Sequence, residues 1–224
     1  HPYAGSLVFT AFSGSHQDAI RKGMDKMKTH PGVWEVPYLP LDPMDVGRNY
    51  DPIIRINSQS GKGGVAFILE QNYGLHLPKM FQQDLSAVVT KISDKSHSDL
   101  SSDKIYKIFI DTYVDIRKPF SLISYKETVI EEDNVKIEAE VEFHGEKASV
   151  VGEGNGIVAA FCHAVQGFIE GIEIEIQDYR EHSLSRGTKA RAISYIQAKN
   201  GDGEVFFGAG TSSNITKSSL RAVA

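Results

Sequence analysis

The sequence predicts an α+β fold, a helical first half followed by a duplicated β-β-β-α second half whose two units pack about a pseudo-twofold. Three observations predict it. Apolar residues recur at helical spacing up to about residue 116. From Phe120 the apolar period drops to two and β-branched residues become frequent. A glycine pair at a strand-to-helix turn then occurs twice, as Gly152-Glu-Gly154 and Gly208-Ala-Gly210, 56 positions apart, which is the mark of an internal repeat.

Each element has its own justification. Ser15 followed three residues later by Asp18 reads as a capping-box variant, which predicts a helix from His16 to about Lys28. Its apolar stripe is Ala19, Ile20, Met24 and Met27. In WEVPYLPLDPMDVGR, residues 34–48, prolines at 37, 40 and 43 forbid helix and favour an extended strap over a surface. A short strand is expected over Ile53–Asn57, before the glycine-rich SQSGKGG. Helix 78–95 places Phe81, Leu85, Val88, Val89 and Ile92 on one face, and helix 102–115 does the same with Ile105, Phe109 and Tyr113, capped by Ser101 or Ser102. The polar run SDKSHSDLSS connects these two. Strands follow at FSLISYKETVI, VKIEAEVEF and EKASVVGEG, then the helix GIVAAFCHAVQGFI. The order recurs with IEIEIQDYREHS, KARAISYIQAK, GEVFFGAG and a Ser-capped helix in SSNITKSSLRAV.

Bulk properties exclude several classes of function. A net charge of −5, without a Lys/Arg cluster, argues against nucleic acid or an anionic membrane as partner. The acidity sits mainly in the second half, which carries −4 over residues 117–224 against −1 over residues 1–116. The single Cys162 rules out an internal disulfide and a cysteine-based zinc site, and fits a reducing compartment. No apolar run approaches the ~18 residues that span a bilayer and no signal peptide opens the sequence, so a cytoplasmic location is expected. A start at His1 without Met is what a piece of a longer protein would have.

No complete active site is legible from chemistry alone. SGKGG departs from a phosphate-binding loop because Lys62 is followed by glycine, not by the hydroxyl residue that would meet magnesium, so it reads as a connector or a helix start. His16, in a first helical turn, lies where the helix dipole favours a neutral imidazole able to accept a proton. A plain surface histidine is the competing reading, since nothing nearby completes a triad and His1, His16 and His30 lack ligand spacing. In GEGNGIVAAF, Asn155 sits between glycines at a helix start, leaving backbone N–H groups open to a carboxylate or phosphate; a tight turn needing glycine explains the same residues.

FSGSHQDAI, WEVPYLPLDPMDVGR, INSQSGKGGVAFIL, GEGNGIVAAF, DYREHS and SLRAV together resemble the 2-isopropylmalate synthase family over essentially the whole chain. The resemblance is to the part that follows that family's (β/α)8 barrel, which holds a divalent metal and binds acetyl-CoA and 2-oxoisovalerate. It implies linker subdomain I at 1–52, a flexible connector at 53–61, helical linker subdomain II at 62–116 and a leucine-binding regulatory domain at 117–224. It also implies feedback inhibition by leucine and a homodimer whose linker reaches over the neighbouring subunit's barrel. Carried to matching positions, His16 and Tyr38 would approach that active site: His16 to assist proton transfer or carbonyl polarisation, Tyr38 to offer a hydroxyl or to couple linker and regulatory signal. The effector pocket, at the interface of two regulatory domains, would use Gly154, Asn155, Gly156, Val158, Ala159, Tyr179, Ser183 and Ala190. The barrel's metal-ligand motif is absent from these residues, so no metal site is expected in them and no activity from the chain alone. Regulatory regions of citramalate synthase, which answer to isoleucine, and free-standing amino-acid sensors are the alternatives; VPYLPLDPMDVGR favours the leucine enzyme.

Overall fold

The computed structural model describes residues 3, 5, 8–9, 11, 14–30, 32–48, 62–96, 100–185, 187 and 190–224. The strand expected over Ile53–Asn57 lies outside them. Packing divides the chain into two units, 1–108 and 109–224.

In the first unit, α1 (Gly14–Thr29) carries the predicted stripe: Ile20 is buried, with Met24 and Met27 packed beside it. The helix begins before Ser15, so this serine stands inside the first turn rather than ahead of it. Asp18 serves the helix surface instead, taking Lys22 at 2.6 Å and Arg21 at 3.0 Å. Hydrogen bonds from these two side chains hold its carboxyl below the usual range.

The proline-rich segment does lie over a surface, but it is not extended throughout. Val36 and Leu39 bury against Ile20. Between them Leu39 N–H donates to the Val36 carbonyl at 3.3 Å, and Tyr38 has φ 65°, the pattern of a type II turn with Pro37 at its first corner. Pro43–Val46 then winds into a 3-10 turn, capped by the Asp42 carboxylate on Met44 N–H at 2.9 Å. Proline is tolerated there because the first N–H groups of a helical turn have no internal partner. Gly23 sets the approach of the strap to α1: a Cβ at this position would stand 2.6 Å from Pro37 Cδ.

The described end of the glycine-rich run, from Lys62, opens helix α2 (Lys62–Tyr73), followed by α3 (Lys79–Ser96) and α4 (Ser102–Tyr113). Along α3, Phe81, Leu85 and Val89 are buried as predicted, whereas Ile92 is exposed and Ser93 takes the inward position after it. Ser101 provides the cap of α4, accepting from Lys104 N–H at 3.4 Å.

The second unit contains two three-stranded antiparallel sheets. The first is β1 (Phe120–Glu131), β2 (Asn134–Phe143) and β3 (Glu146–Gly154), followed by α5 (Ile157–Phe168). The second is β4 (Glu175–Ser183), β5 (Ala192–Lys199) and β6 (Val205–Ser212), followed by α6 (Ile215–Val223). Ile137, Ala139, Val141 and Val150 bury against Ala160, Phe161, Ala164 and Val165 of α5.

The duplication is present, but its packing step differs from the sequence step. A Cβ on Gly152 would strike the Ala160 carbonyl and stand 2.6 Å from Ala164 N. A Cβ on Gly210 would strike the Ser218 carbonyl and stand 2.6 Å from Ala222 N. Gly152 therefore corresponds to Gly210, a step of 58 positions rather than 56. The two-residue difference arises because small residues recur on one strand face every second position, which lets the glycine pair match itself out of step. Cross-strand pairing carries the correspondence to β2 and β5, Ile137 opposite Gly152 and Ser194 opposite Gly210, with a step of 57 because the two hairpins differ by one residue.

Just past α4, Asp115 ties the entering chain to β6. Its N–H donates to the Ala209 carbonyl at 2.9 Å, and its carboxylate accepts Thr211 N–H at 3.1 Å and the Thr211 hydroxyl at 2.7 Å. Arg221 completes the clasp, donating to the Thr211 carbonyl at 2.8 Å.

Candidate functional site

The predicted site residues fall into three groups. The first is His16 with Tyr38, brought together although 22 positions separate them. Their rings stack with centroids 4.1 Å apart and planes at 29°. Both are exposed, Tyr38 to 60%. The left-handed backbone at Tyr38 is strained for a non-glycine residue, and the turn that imposes it sets this ring on the imidazole. One surface thus presents an imidazole and a phenol side by side.

The second group is the strand-to-helix turn Gly154-Asn155-Gly156 with Val158 and Ala159 on the first turn of α5. Gly156 has φ 125°, open to glycine but strained for any other residue, and no side chain caps the helix start. Asn155 is exposed, and Val158 and Ala159 are half-buried. A helix start with no side-chain cap and small residues around it suits a carboxylate.

The third group is Tyr179, Ser183 and Ala190. Tyr179 projects from β4 toward α6, where its hydroxyl meets Ser219 Oγ at 2.8 Å and donates to the Glu181 carboxylate. Burial, and then the bond to Glu181, push the Tyr179 phenol above its ordinary range, so it remains a neutral donor. Ser183 donates to the Ser185 carbonyl, and Ala190 N–H closes a turn on the Gly187 carbonyl at 3.1 Å. Among the described residues no hydrogen bond joins this group to the α5 turn.

Beneath Tyr179 lies a feature that sequence reading missed. Ser194, Ser218 and Ser219 are almost completely buried. Ser194 Oγ stands 2.7 Å from Ser218 Oγ and 3.1 Å from Ser219 Oγ; Ser218 donates to the Ile215 carbonyl at 2.7 Å, and Ser219 shares its one proton between that carbonyl, 2.9 Å away, and the Tyr179 oxygen. In the sister unit the corresponding positions are Ile137, Ala160 and Phe161, all apolar. The available signal was serine at inward positions of β5 and α6. α6 also differs from α5 at its start. Its cap is Asn214 rather than the expected serine, accepting from Lys217 N–H at 2.9 Å.

Among the described residues no group of three or more His, Cys, Asp or Glu is placed to hold a metal ion. No helix there is long and apolar enough to cross a membrane.

Comparison with known proteins adds two family matches. Residues 6–70 match a family model described as alpha-isopropylmalate synthase, post-catalytic domain-like. Residues 99–224 match the LeuA allosteric (dimerisation) domain. The chain is similar to the 2-isopropylmalate synthase of Acetoanaerobium sticklandii, 59% identical over 225 residues, covering all of this chain and 40% of that protein. The enzymes of that name from Thermobifida fusca and Rhizobium johnstonii are 43% and 46% identical, again over all of this chain and 40% of each relative. The chain therefore spans about 40% of the length of these relatives.

Proposed function

Because the chain belongs to the LeuA allosteric (dimerisation) domain family, we propose that it is the linker and regulatory region of a 2-isopropylmalate synthase. The whole enzyme is a cytoplasmic acyltransferase that condenses acetyl-CoA with 2-oxoisovalerate in the first committed step of leucine biosynthesis. In this reading residues 1–52 and 62–116 are linker subdomains joined by the 53–61 connector, and residues 117–224 bind L-leucine as feedback inhibitor within a homodimer. The observation that carries the reading is the α5 start: small residues and a glycine turn, with no side chain in the capping position, inside the matched domain.

The physical chemistry of the ligand fits this start. Backbone N–H groups receive the carboxylate. Burying an isobutyl group beside Val158, Ala159 and Ala190 adds about 2 kcal/mol. A misplaced methyl group in such a pocket loses about 1–3 kcal/mol, which ranks leucine above isoleucine and valine. His16 and Tyr38 serve the other end of the region, completing the neighbouring subunit's active site, with His16 assisting proton transfer and Tyr38 offering its hydroxyl. The divalent metal belongs to the barrel of the whole enzyme.

Calorimetry on this chain tests the reading. Leucine is expected to bind, more tightly than isoleucine or valine. Tighter binding of isoleucine would transfer the region to the citramalate synthase type, and no binding of any of the three would remove the effector assignment.

A further inference from the structure

Two clefts meet where the chain enters the second unit. Asp115 is clasped to Thr211, and the next three residues, Ile116, Arg117 and Lys118, are exposed before β1 begins. One cleft, of about 390 Å³, is lined by Arg117, Lys118, Ser121, Glu142 and Arg221. The other, of about 280 Å³, is walled mainly by Ile174, Ile176, Ile196, Ala198, Phe206 and Phe207. Ile116 and Arg221 line both, so the charged cleft adjoins the apolar one. None of the candidate effector residues lines either of them.

The sister unit supplies an internal control. Four positions before Gly152 stands Ala148, in a cross-strand row with Val141 and Leu122. Four positions before Gly210 stands Phe206, in the matching row with Ala198 and Ile176. In the first row Val141 is fully buried, and Leu122 and Ala148 pack against the core shared with α5. In the second row Ala198 is only half-buried, and Phe206, a large ring where the sister has alanine, is 53% exposed. An open aromatic ring facing a concave apolar wall, with charged groups at one end, is the composition of a small-molecule site. The charges set the sign of its ligand. Arg117, Lys118 and Arg221 face Asp115 and Glu142 across the charged cleft. Asp115 is taken up by Thr211, with Arg221 3.9 Å away, whereas Arg117 and Lys118 make no ion pair among the described residues. One positive charge is left over, which suits a monoanion and not a polyphosphate.

We propose that the two clefts form one binding site for an aliphatic monocarboxylate, with the carboxylate at Arg117 and Lys118 and the hydrocarbon chain passing Ile116 to lie against Ile176 and Phe206. The site is separate from the α5 turn and from Tyr179, and it reads a negative head and an apolar tail without any need for an ammonium group.

The test is calorimetry on the whole chain with octanoate, butanoate and octylamine. Octanoate is expected to bind, and butanoate to bind about 100-fold more weakly, since each buried methylene contributes a factor of about four. Octylamine, with the same tail and the opposite charge, is expected not to bind. Arg117→Ala combined with Lys118→Ala, both exposed positions, is expected to weaken octanoate by about 10-fold or more, the scale of a charged hydrogen bond. Phe206→Ala, with an unchanged circular dichroism spectrum, is expected to weaken octanoate by about 10-fold and butanoate much less. Equal binding of octanoate and octylamine overturns the proposal, as does octanoate affinity that survives the loss of both cations. No binding of octanoate to the parent also overturns it. If Phe206→Asp then lowers the oligomeric state in sedimentation, the apolar cleft belongs to a second copy of the chain instead.

Discussion

At the scale of single residues, function and packing place opposite demands on the chain. His16 and Tyr38 are exposed and stacked on each other. Replacing His16 by Ala in the full-length enzyme is expected to lower kcat by about 100-fold or more, with a smaller change in KM, as loss of general acid–base assistance does. Near-normal kcat would return this residue to the ordinary surface. Gly152 is the opposite case, an interior position with no space. Gly152→Ala drives a methyl group into the α5 backbone at Ala160 and Ala164 and is expected to destabilise the fold by about 1–3 kcal/mol, measured as the midpoint of urea unfolding. Sequence reading names His16, Tyr38 and the α5 turn from motifs that are contiguous in the chain. It did not reach Ser194, Ser218 and Ser219, whose signal, serine at inward positions of β5 and α6, is spread over two elements that only the fold brings together.

At the scale of elements, the two helices of the duplicated half end their strand turns differently. Asn214 closes α6 with its own side chain, while Gly156 leaves α5 without a side-chain cap. Asn214→Ala is expected to cost about 1 kcal/mol of stability, the usual value of an N-cap, and to leave leucine affinity unchanged. A large fall in leucine affinity would show that α6 takes part in the effector site. The predicted elements were legible where periodicity was long and unbroken, as in α3 to α5 and every strand of the two sheets. Errors fell where local chemistry has two solutions. Proline forbids an α-helix interior but permits a 3-10 turn, so Pro43–Val46 winds where an extended strap was expected. Ser15 and the serines opening SSNITKSSLRAV satisfy a capping pattern, yet α1 starts at Gly14, two residues before the expected His16, and α6 takes Asn214 as its cap. Ile92 and Ser93 exchanged places because helical spacing tolerates either as the fourth turn's inward residue.

At the scale of the whole molecule, alkaline pH probes the integrity of the duplicated half. Burial pushes the Cys162 thiol on α5 up to about 11. An unfolded chain ionises a thiol near its ordinary value of roughly 8.5–9. Between about pH 9 and 11 the unfolded state therefore holds fewer protons than the folded one, and stability falls as pH rises. The expected loss is as much as about 2 kcal/mol, read from urea unfolding across that range, and Cys162→Ala should show a shallower slope. An equal slope in the variant would assign the alkaline loss to the buried tyrosines instead. The step of 58 holds inside each strand-helix pair: Gly152 to Ala160 and Gly210 to Ser218 are both eight positions, so the turn between strand and helix keeps its length in the two units. One residue more or fewer there would turn the glycine face away from its helix. The glycine pair can nonetheless match itself two positions out of step and still face inward, so the sequence alone offers a repeat that the packing refuses.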